Sequence, residues 1–421
     1  MPKSEKTEFD IILWGATGFT GRLVAEYLSK TQDTHGATWA LAGRDRTRLE
    51  QIRASLGALN AASAHLPIVL ADARNAASLD AMVARTRVVI STVGPYARHG
   101  NELVAACARS GTDYCDLTGE VHWMRRMIDA HHEEAQKSGA RIVHTCGFDS
   151  IPSDLGVLML QEAMKERHGT HCHRVNYYMT RMRGGISGGT LASMMQMMEE
   201  MAADPSVRRV MGNPHALDPE PRRGTREERD QMGVRYSAEL GRWTAPFLMA
   251  SVNTRVVRRS NALLGYPWGR DFFYAESSSF APGVKGLLTA AGMTAGMGAF
   301  MAAASITPVR RLLEQRVLPG PGEGPSAEAR DNGFFEVRLR GEGTSPKGGT
   351  LRLEGKVASQ GDPGYAATAR MLSQSALCLA FDTPATGGGV LTPASSMGST
   401  LIERLRKAGM TFEVTERPPA A

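Results

Sequence analysis

The 421-residue chain is poor in cysteine and has no Cys-x-x-Cys pair. Its five cysteines, Cys107, Cys115, Cys146, Cys172 and Cys378, are scattered and odd in number. That argues against a disulfide frame or a zinc site and for reduced thiols in a cytoplasmic setting. Lysine and arginine never gather in a long block and the net charge is only +6, so nucleic acid is not an expected partner. Residues 1–8 form a polar tail without the apolar core of a signal peptide. No internal repeat is present. Histidines crowd at His168, His171 and His173, with cramped spacing and no carboxylate close by, and at His131-His132, whose side chains diverge around a helix and read as a solvated face, so no metal site is expected. The length exceeds one ordinary core, which points to two domains.

The first informative run is Phe9-Asp10-Ile11-Ile12-Leu13-Trp14, followed by Gly15-Ala16-Thr17-Gly18-Phe19-Thr20-Gly21 and a helical stretch from Arg22 to Leu28. Strand, glycine turn and helix in that order make a seat for a dinucleotide pyrophosphate. Glycines let the backbone approach the phosphates, and the helix start turns its free N–H groups to the anion. The second strand, Thr38 to Gly43, ends at Arg44, where an NAD enzyme would carry an acidic residue for the ribose hydroxyls. A guanidinium there suits the 2′-phosphate of NADP, and Arg46 and Arg48 add charge at the same rim. Asp45 leaves NAD open as the less favoured cofactor.

Strand and helix patterns alternate from residue 9 to about 150, which predicts a Rossmann-type parallel sheet with helices on both faces. Ligands on such sheets lie at the carboxyl ends of the strands. Asp72, the run Thr92-Val93-Gly94-Pro95-Tyr96, and Gly147 to Ser150 all fall at such ends. After Ile151-Pro152 the pattern changes. Residues 151–394 read as an α+β substrate and cover domain, so the fold class is α/β with a second α+β domain. Within it, residues 204–235 are rich in Pro, Arg and Glu and read as a mobile loop. Phe334–Arg340 and Leu351–Val357 read as a hairpin. Residues 395–421 are read as a C-terminal helix and tail, with Leu401, Ile402 and Leu405 at helical spacing.

Several segments occur in a telling order: Gly15–Gly21, Ala42-Gly43-Arg44, Val93–Tyr96, Gly111–Glu120 and Cys146–Asp154. Ser187-Gly188-Gly189-Thr190, Gly361–Tyr365 and Gly389–Ala394 then follow. With this combination the chain resembles the saccharopine dehydrogenase-like oxidoreductases, most closely the branch that includes bacterial trans-acting enoyl reductases. The resemblance spans nearly the whole chain. It implies a Rossmann domain, a nicotinamide cofactor, hydride transfer and, for this branch, reduction of enoyl intermediates on polyketide synthases that lack their own reductase. It also implies that the final segment, from Ser395 to about Lys407, packs near the Rossmann domain. Partners would then be a carrier-bound acyl chain and a polyketide synthase or acyl carrier protein. A saccharopine-type amino-acid dehydrogenase is an alternative, although no cationic set for an amino-dicarboxylate stands out. A non-catalytic, nucleotide-binding lipid-associated scaffold is another.

Candidates for the chemistry follow from where the nicotinamide would end. Tyr96 is a candidate proton donor or stacking wall, and His99 a candidate general acid. Either could instead be structural, as a turn cap or a surface histidine. Asp149 and Ser150 could orient the ribose or a substrate carbonyl, or only cap the next helix. Gly188, Gly189 and Thr190 open a helix and could form an oxyanion cradle. Asp362 and Tyr365 start another helix and are further substrate candidates. Residues 286–309 carry no charge and are dominated by Gly, Ala, Thr and Met. They read first as a buried or acyl-lining helix and second as a peripheral contact with the cytoplasmic membrane face. Arg255, Arg258, Arg259 and Arg270 are read as a basic patch for an acidic carrier protein or a pantetheine phosphate.

Overall fold

A computed structural model describes residues 7–184, 188–220, 222–306, 309–310, 324–382 and 386–417. The N-terminal half builds β1 (Phe9–Trp14), α1 (Phe19–His35), β2 (Trp39–Gly43), α2 (Arg46–Leu59), β3 (Ile68–Leu70), α3 (Ala76–Val83) and β4 (Thr86–Ser91). It continues with α4 (Tyr96–His99), α5 (Asn101–Ser110), β5 (Asp113–Asp116), α6 (Val121–Ser138) and β6 (Arg141–Val143). Every strand pairing in this sheet is parallel. Ile11, Ile12, Leu13, Val88, Val89 and Ile90 are all fully buried, as a sheet covered on both faces requires.

The second half adds α7 (Ile151–His168), β7 (Cys172–Arg183), α8 (Gly188–Ala203), α9 (Pro205–Gly212), β8 (Arg235–Ser237) and β9 (Arg242–Ala245). Next come α10 (Ala250–Leu263), β10 (Phe273–Ser279), α11 (Gly283–Ser305), β11 (Phe334–Thr344) and β12 (Thr350–Gln360). Then follow a helix at Thr368–Phe381, β13 (Gly389–Leu391), a helix at Gly398–Lys407 and β14 (Thr411–Glu416). The second sheet has the order β14-β12-β11-β7-β10-β9-β8. It is antiparallel except where β10 runs beside β7.

The chain returns to the first sheet earlier than residue 395. Strand β13 pairs with β6 and completes the order β13-β6-β5-β4-β1-β2-β3. The buried Thr368–Phe381 helix packs on α1, β4 and β5, and its Gln374 donates to the Tyr27 hydroxyl at 2.9 Å. The Gly398–Lys407 helix instead packs on α7 and on the Thr368–Phe381 helix, while β14 joins the second sheet.

Three sequence expectations change here. Residues 204–235 are not one open loop. They contain α9 and a buried His215, held by Asp218 and Glu228 at 2.8 Å each. Against the opposing effect of burial, the Thr225 amide and His215 hold the Glu228 carboxyl down at about 2. A polar stretch is pinned here by pairing, which apolar periodicity does not reveal.

The basic patch does not form either. Arg255, Arg258 and Arg259 are buried in α10, and only Arg270 is exposed, over the Tyr266 ring at 4.2 Å. Arg258 donates to the Tyr274 carbonyl at 2.9 Å, and Arg259 donates to the Val390 carbonyl at 2.6 Å, tying α10 to β13. Burial pushes Arg258 down to about 10 and Arg259 to about 9, so both stay charged at neutral pH. They are forks for orphan carbonyls, not a docking surface.

Finally, α11 is not buried. Among its 23 residues only Gly286, Ala290 and Ala304 are buried.

Candidate active site

The turn after β1 is shaped by contacts that leave no room for side chains. Gly15 has φ +95°, and a Cβ there would sit 2.6 Å from Thr92 Oγ1 and 2.7 Å from Val93 Cγ2. At Gly21 a Cβ would fall 2.1 Å from the Gly15 carbonyl oxygen. The Thr92 hydroxyl donates to that same oxygen at 3.1 Å, and the Gly18 amide reaches it at 3.0 Å. Thr92 and Val93 are therefore the floor of the turn. Helix α1 opens at Phe19, so the amides of its first turn, among them Phe19 and Thr20, have no intrahelical acceptor and are available to a pyrophosphate beside Thr17 and Gly18. The Phe19 ring turns away: it meets Tyr365 edge-on at 4.7 Å and lies under Arg330 at 5.5 Å.

A cationic rim lies at the ends of β2 and β3. Arg44 is exposed there, while Arg46 leans on Glu50 at 3.9 Å and Arg48 on Asp45 at 3.6 Å within α2. Asp72 accepts the Arg74 amide at 2.9 Å. That hydrogen bond, with the charges of Arg74 and Arg44, holds its carboxyl below the ordinary range. His99 belongs to this rim too. Burial first, then the charges of Arg98, Arg44 and Arg74, push its imidazole down, and Asp72 opposes them. The structure thus moves His99 from the expected general-acid position to the ribose-phosphate side. Arg44 and Arg74, the latter 3.7 Å from Asp72, are the two guanidinium groups acting on both Asp72 and His99, which makes them the candidates for a 2′-phosphate. The sequence shows the strand end at Asp72 but not that the turn after it brings the Arg74 charge to bear on His99 together with that of Arg44.

The opposite end of the cleft lies at the ends of β4, β5 and β6. After Gly94-Pro95, Tyr96 is 3 % exposed. Its hydroxyl donates to the Ser91 carbonyl at 3.0 Å and its ring packs on Trp123 at 5.3 Å. Burial and the charges of Asp116, Glu120 and Asp149 push the phenol well above its ordinary value. Tyr96 is a structural strut, and the expectation of a proton donor is not met there. Glu120 fixes the same turn. Its carboxylate accepts the Tyr96 amide at 2.9 Å, the Ala97 amide at 2.8 Å and the Ser193 hydroxyl of α8 at 2.9 Å. Burial pushes Glu120 up, and these three donors oppose it.

Asp116 is a saturated hub. It accepts from the Thr118 and Thr145 amides at 3.0 and 3.1 Å, the Tyr114 hydroxyl at 3.0 Å and His144 at 2.7 Å. Asp149 is its opposite. Crowded by protein atoms yet partly open to solvent-sized space, it is pushed up to about 7 by burial and by the Asp116 charge, with no hydrogen bond contributing. Ser150 is committed elsewhere, its hydroxyl meeting Asn253 Oδ1 at 3.0 Å in a buried network with Ser153 and Glu276. It is a packing residue, not a substrate ligand.

Gly188, Gly189 and Thr190 open α8, one turn before Ser193. Residues 185–187 of the preceding glycine run lie outside the described residues. Asp362 and Tyr365 are buried at the turn that braces the two domains. The Asp362 amide donates to Arg330 at 2.8 Å, and Thr368 at the end of this turn receives the Phe148 amide at 3.0 Å. They brace the Phe19 side of the cleft.

Known proteins with this pattern agree. A family model described as the saccharopine dehydrogenase NADP binding domain matches residues 11–143. A Mycobacterium tuberculosis protein assigned as a trans-acting enoyl reductase is 44% identical over 418 residues, covering 97% of this chain and 98% of its own. A trans-acting enoyl reductase of Mycobacterium leprae is 39% identical, covering 98% of this chain and 99% of its own. The chain belongs to the trans-acting enoyl reductase branch of the saccharopine dehydrogenase-like oxidoreductases. It is an NADP(H)-dependent oxidoreductase. Apo saccharopine dehydrogenase (L-Glu forming) from Saccharomyces cerevisiae shares its fold, with TM-score 0.57 at 14% identity, covering 97% of this chain and 100% of that one.

For an NADP enzyme of this branch the residues present fit the cofactor. The glycine cradle excludes side chains, Arg44 replaces the acidic ribose ligand, and a partly open carboxyl stands at the far end. Glu120 and Asp116 are site residues that the pattern alone did not single out. Their only sequence signal is position, each ending or following β5.

Proposed function

We propose that this chain reduces the α,β-double bond of an acyl thioester carried by another protein, with Asp149 as the proton donor. The relatives named trans-acting enoyl reductases support the reaction class. The observation that carries the proton role is the Asp149 carboxyl, raised to about 7 and without a hydrogen-bond partner among the described residues. A carboxyl kept neutral near working pH can give a proton in the transition state. When bound, NADPH supplies the hydride that the β-carbon receives. Arg44 and Arg74 hold the 2′-phosphate, and Gly15, Gly18 and Gly21 admit the pyrophosphate. Asp149 gives its proton to the α-carbon, becomes a carboxylate and regains a proton from solvent through its open side. Glu120 positions the Val93–Tyr96 turn and α8 around that point.

The test is NADPH consumption by the full chain with an enoyl group on a phosphopantetheine-bearing carrier protein. The expected result is one saturated acyl product per NADPH oxidised. NADPH that binds but is not consumed by any enoyl thioester would overturn the reading in favour of a nucleotide-binding scaffold.

Helix α11 supports a second proposed element, a seat for the enzyme on a lipid surface. Its outer face exposes Leu288 (66 %), Met293 (38 %) and Met301 (36 %), and it carries no acidic residue. It packs on β9, where the partly exposed Trp243 pairs with Tyr236 at 5.2 Å. Lys285, Arg235 and Arg242 flank the face. An uncharged stripe with Trp, Tyr and cations beside it matches the interface of an anionic bilayer. The other four tryptophans are at most 5 % exposed, so Trp243 reports the contact. Vesicles containing phosphatidylglycerol should shift the Trp emission to the blue and float the protein. Leu288→Glu with Met293→Glu should abolish both. Flotation unchanged in that variant would exclude α11 as the contact.

A further inference from the structure

Three of the four arginines that the sequence assigns to a carrier are buried, yet a different group of arginines surrounds a cleft. Arg208, Arg209, Arg222, Arg223 and Arg229 line a concavity of about 540 Å³ with Gly212, Asn213, Pro214 and Gly224. All five arginines are exposed. Among the described residues only Arg222 is in an ion pair, with Glu228 at 3.0 Å. Three of the nearby carboxylates are already occupied. Glu228 is shared by His215, Arg222 and the Thr225 amide, Asp218 is held by His215, and Asp230 by Arg255. No Asp or Glu lines the concavity, so its wall is positive, with the exposed Asp204, which feels the Arg208 charge, and Glu220 and Glu227 offsetting only part of it from outside.

Its walls are fixed by the fold. Arg208 and Arg209 ride on α9, whose Asp204 cap accepts the Ser206 amide at 2.7 Å. Buried Val207 faces inward between them and the α8 end. Pro214 closes on Gly224, where a Cβ would fall 2.3 Å from Pro214 Cγ, so the opposite wall needs glycine. Beyond that wall, His215 anchors the strand of chain to Glu228. These arginines are thus presented by packed structure and not by a loose loop.

The cleft is also connected to the site. Helix α8 begins beside Glu120 through Ser193 and ends at Ala203, just before α9. The ten helical residues from Ser193 to Ala203 span roughly 15 Å, and α9 with its arginines follows directly. An extended arm of four to five peptide-sized links, each ~3.5 Å, bridges that span.

Resting on the carrier-borne reading above, we infer that this arginine cleft receives the phosphodiester of an acyl carrier arm and the acidic protein surface from which that arm extends. The guanidinium fork matches phosphate oxygens in geometry, and several unpaired forks around a concavity hold an anion more firmly than a flat patch. The same field steers an acidic partner towards the cleft.

The test compares two substrates with the full-length protein: an enoyl group on an acidic holo-carrier protein, and the same enoyl group on pantetheine lacking both phosphate and protein. In Arg208→Glu with Arg209→Glu and Arg223→Glu, KM for the carrier-borne substrate should rise by about 10- to 100-fold, and salt should raise the wild-type KM in the same direction. The kcat and KM for the pantetheine substrate should stay at wild-type values, which shows the variant is folded. Equal KM changes for both substrates, or none for either, would overturn the assignment. Binding of holo-carrier, followed by fluorescence anisotropy, separates this inference from the reductase reading. Loss of holo-carrier binding in the variant supports the cleft even if no turnover is found. Tight, carrier-independent binding of phosphatidylglycerol vesicles through these arginines counts against it.

Discussion

Asp149→Asn is expected to lower turnover of enoyl thioesters by about 10²- to 10⁴-fold, the usual worth of a positioned acid. NADPH affinity should hardly change, because Asp149 lies at the opposite end of the cleft from Arg44 and Arg74. The wild-type rate should fall as pH rises through about 7, where the raised carboxyl ionises, and that limb should disappear in the variant. Stability provides an independent check with its own sign. A carboxyl raised in the folded state binds its proton there while the unfolded chain has released it, so it costs stability progressively from about pH 4 to about pH 7. Asn removes that cost. Asp149→Asn should therefore be more stable than wild type at pH 8, by up to about 4 kcal/mol, and no more stable at pH 3. A variant that is both inactive and destabilised at pH 8 would point to a packing role.

The second large effect concerns the cofactor. Replacing Arg44 and Arg74 together by Ala should raise KM for NADPH by roughly 100-fold and leave KM for NADH within a factor of two to three. The estimate follows from two charge-assisted contacts with a phosphate at about 1.5 kcal/mol or more each. Arg46→Ala or Arg48→Ala should do far less, since only Arg44 and Arg74 act on the Asp72 and His99 groups of the rim. Equal losses for NADPH and NADH would remove the phosphate-reading role.

What the sequence reveals, and what it hides, divides along physical lines. The glycine turn is legible because its constraint is local: Gly15 and Gly21 must lack side chains for reasons contained within one βα unit and the adjoining strand. Arg44 is legible because strand β2 ends at a fixed point. Tyr96 and His99 share a strand end in the sequence, which does not show that the Ser91 carbonyl takes the Tyr96 hydroxyl or that His99 sits among the charges of Arg44 and Arg74. One reaches the ribose side and the other the interior. The buried arginines of α10 were misread because charge alone does not show which carbonyls need a donor. Val390, whose carbonyl Arg259 holds, lies 131 residues further along the chain. The arginine cleft escaped notice for the converse reason. Its members come from α9 and from a stretch that pattern reading treats as unstructured.

The first sheet also has a consequence for how the protein comes into being. Its outermost strand on one side is contributed by residues 389–391, pairing with a partner made nearly 250 residues earlier. On a ribosome, six neighbours emerge and wait while most of the remaining chain is synthesised, with the edge of β6 uncovered. The nucleotide-binding half is therefore not a module that could be detached at residue 150 and kept whole. It is finished only when the end of the polypeptide comes home, so an enzyme cut short anywhere before residue 389 loses part of the platform on which its cofactor rests.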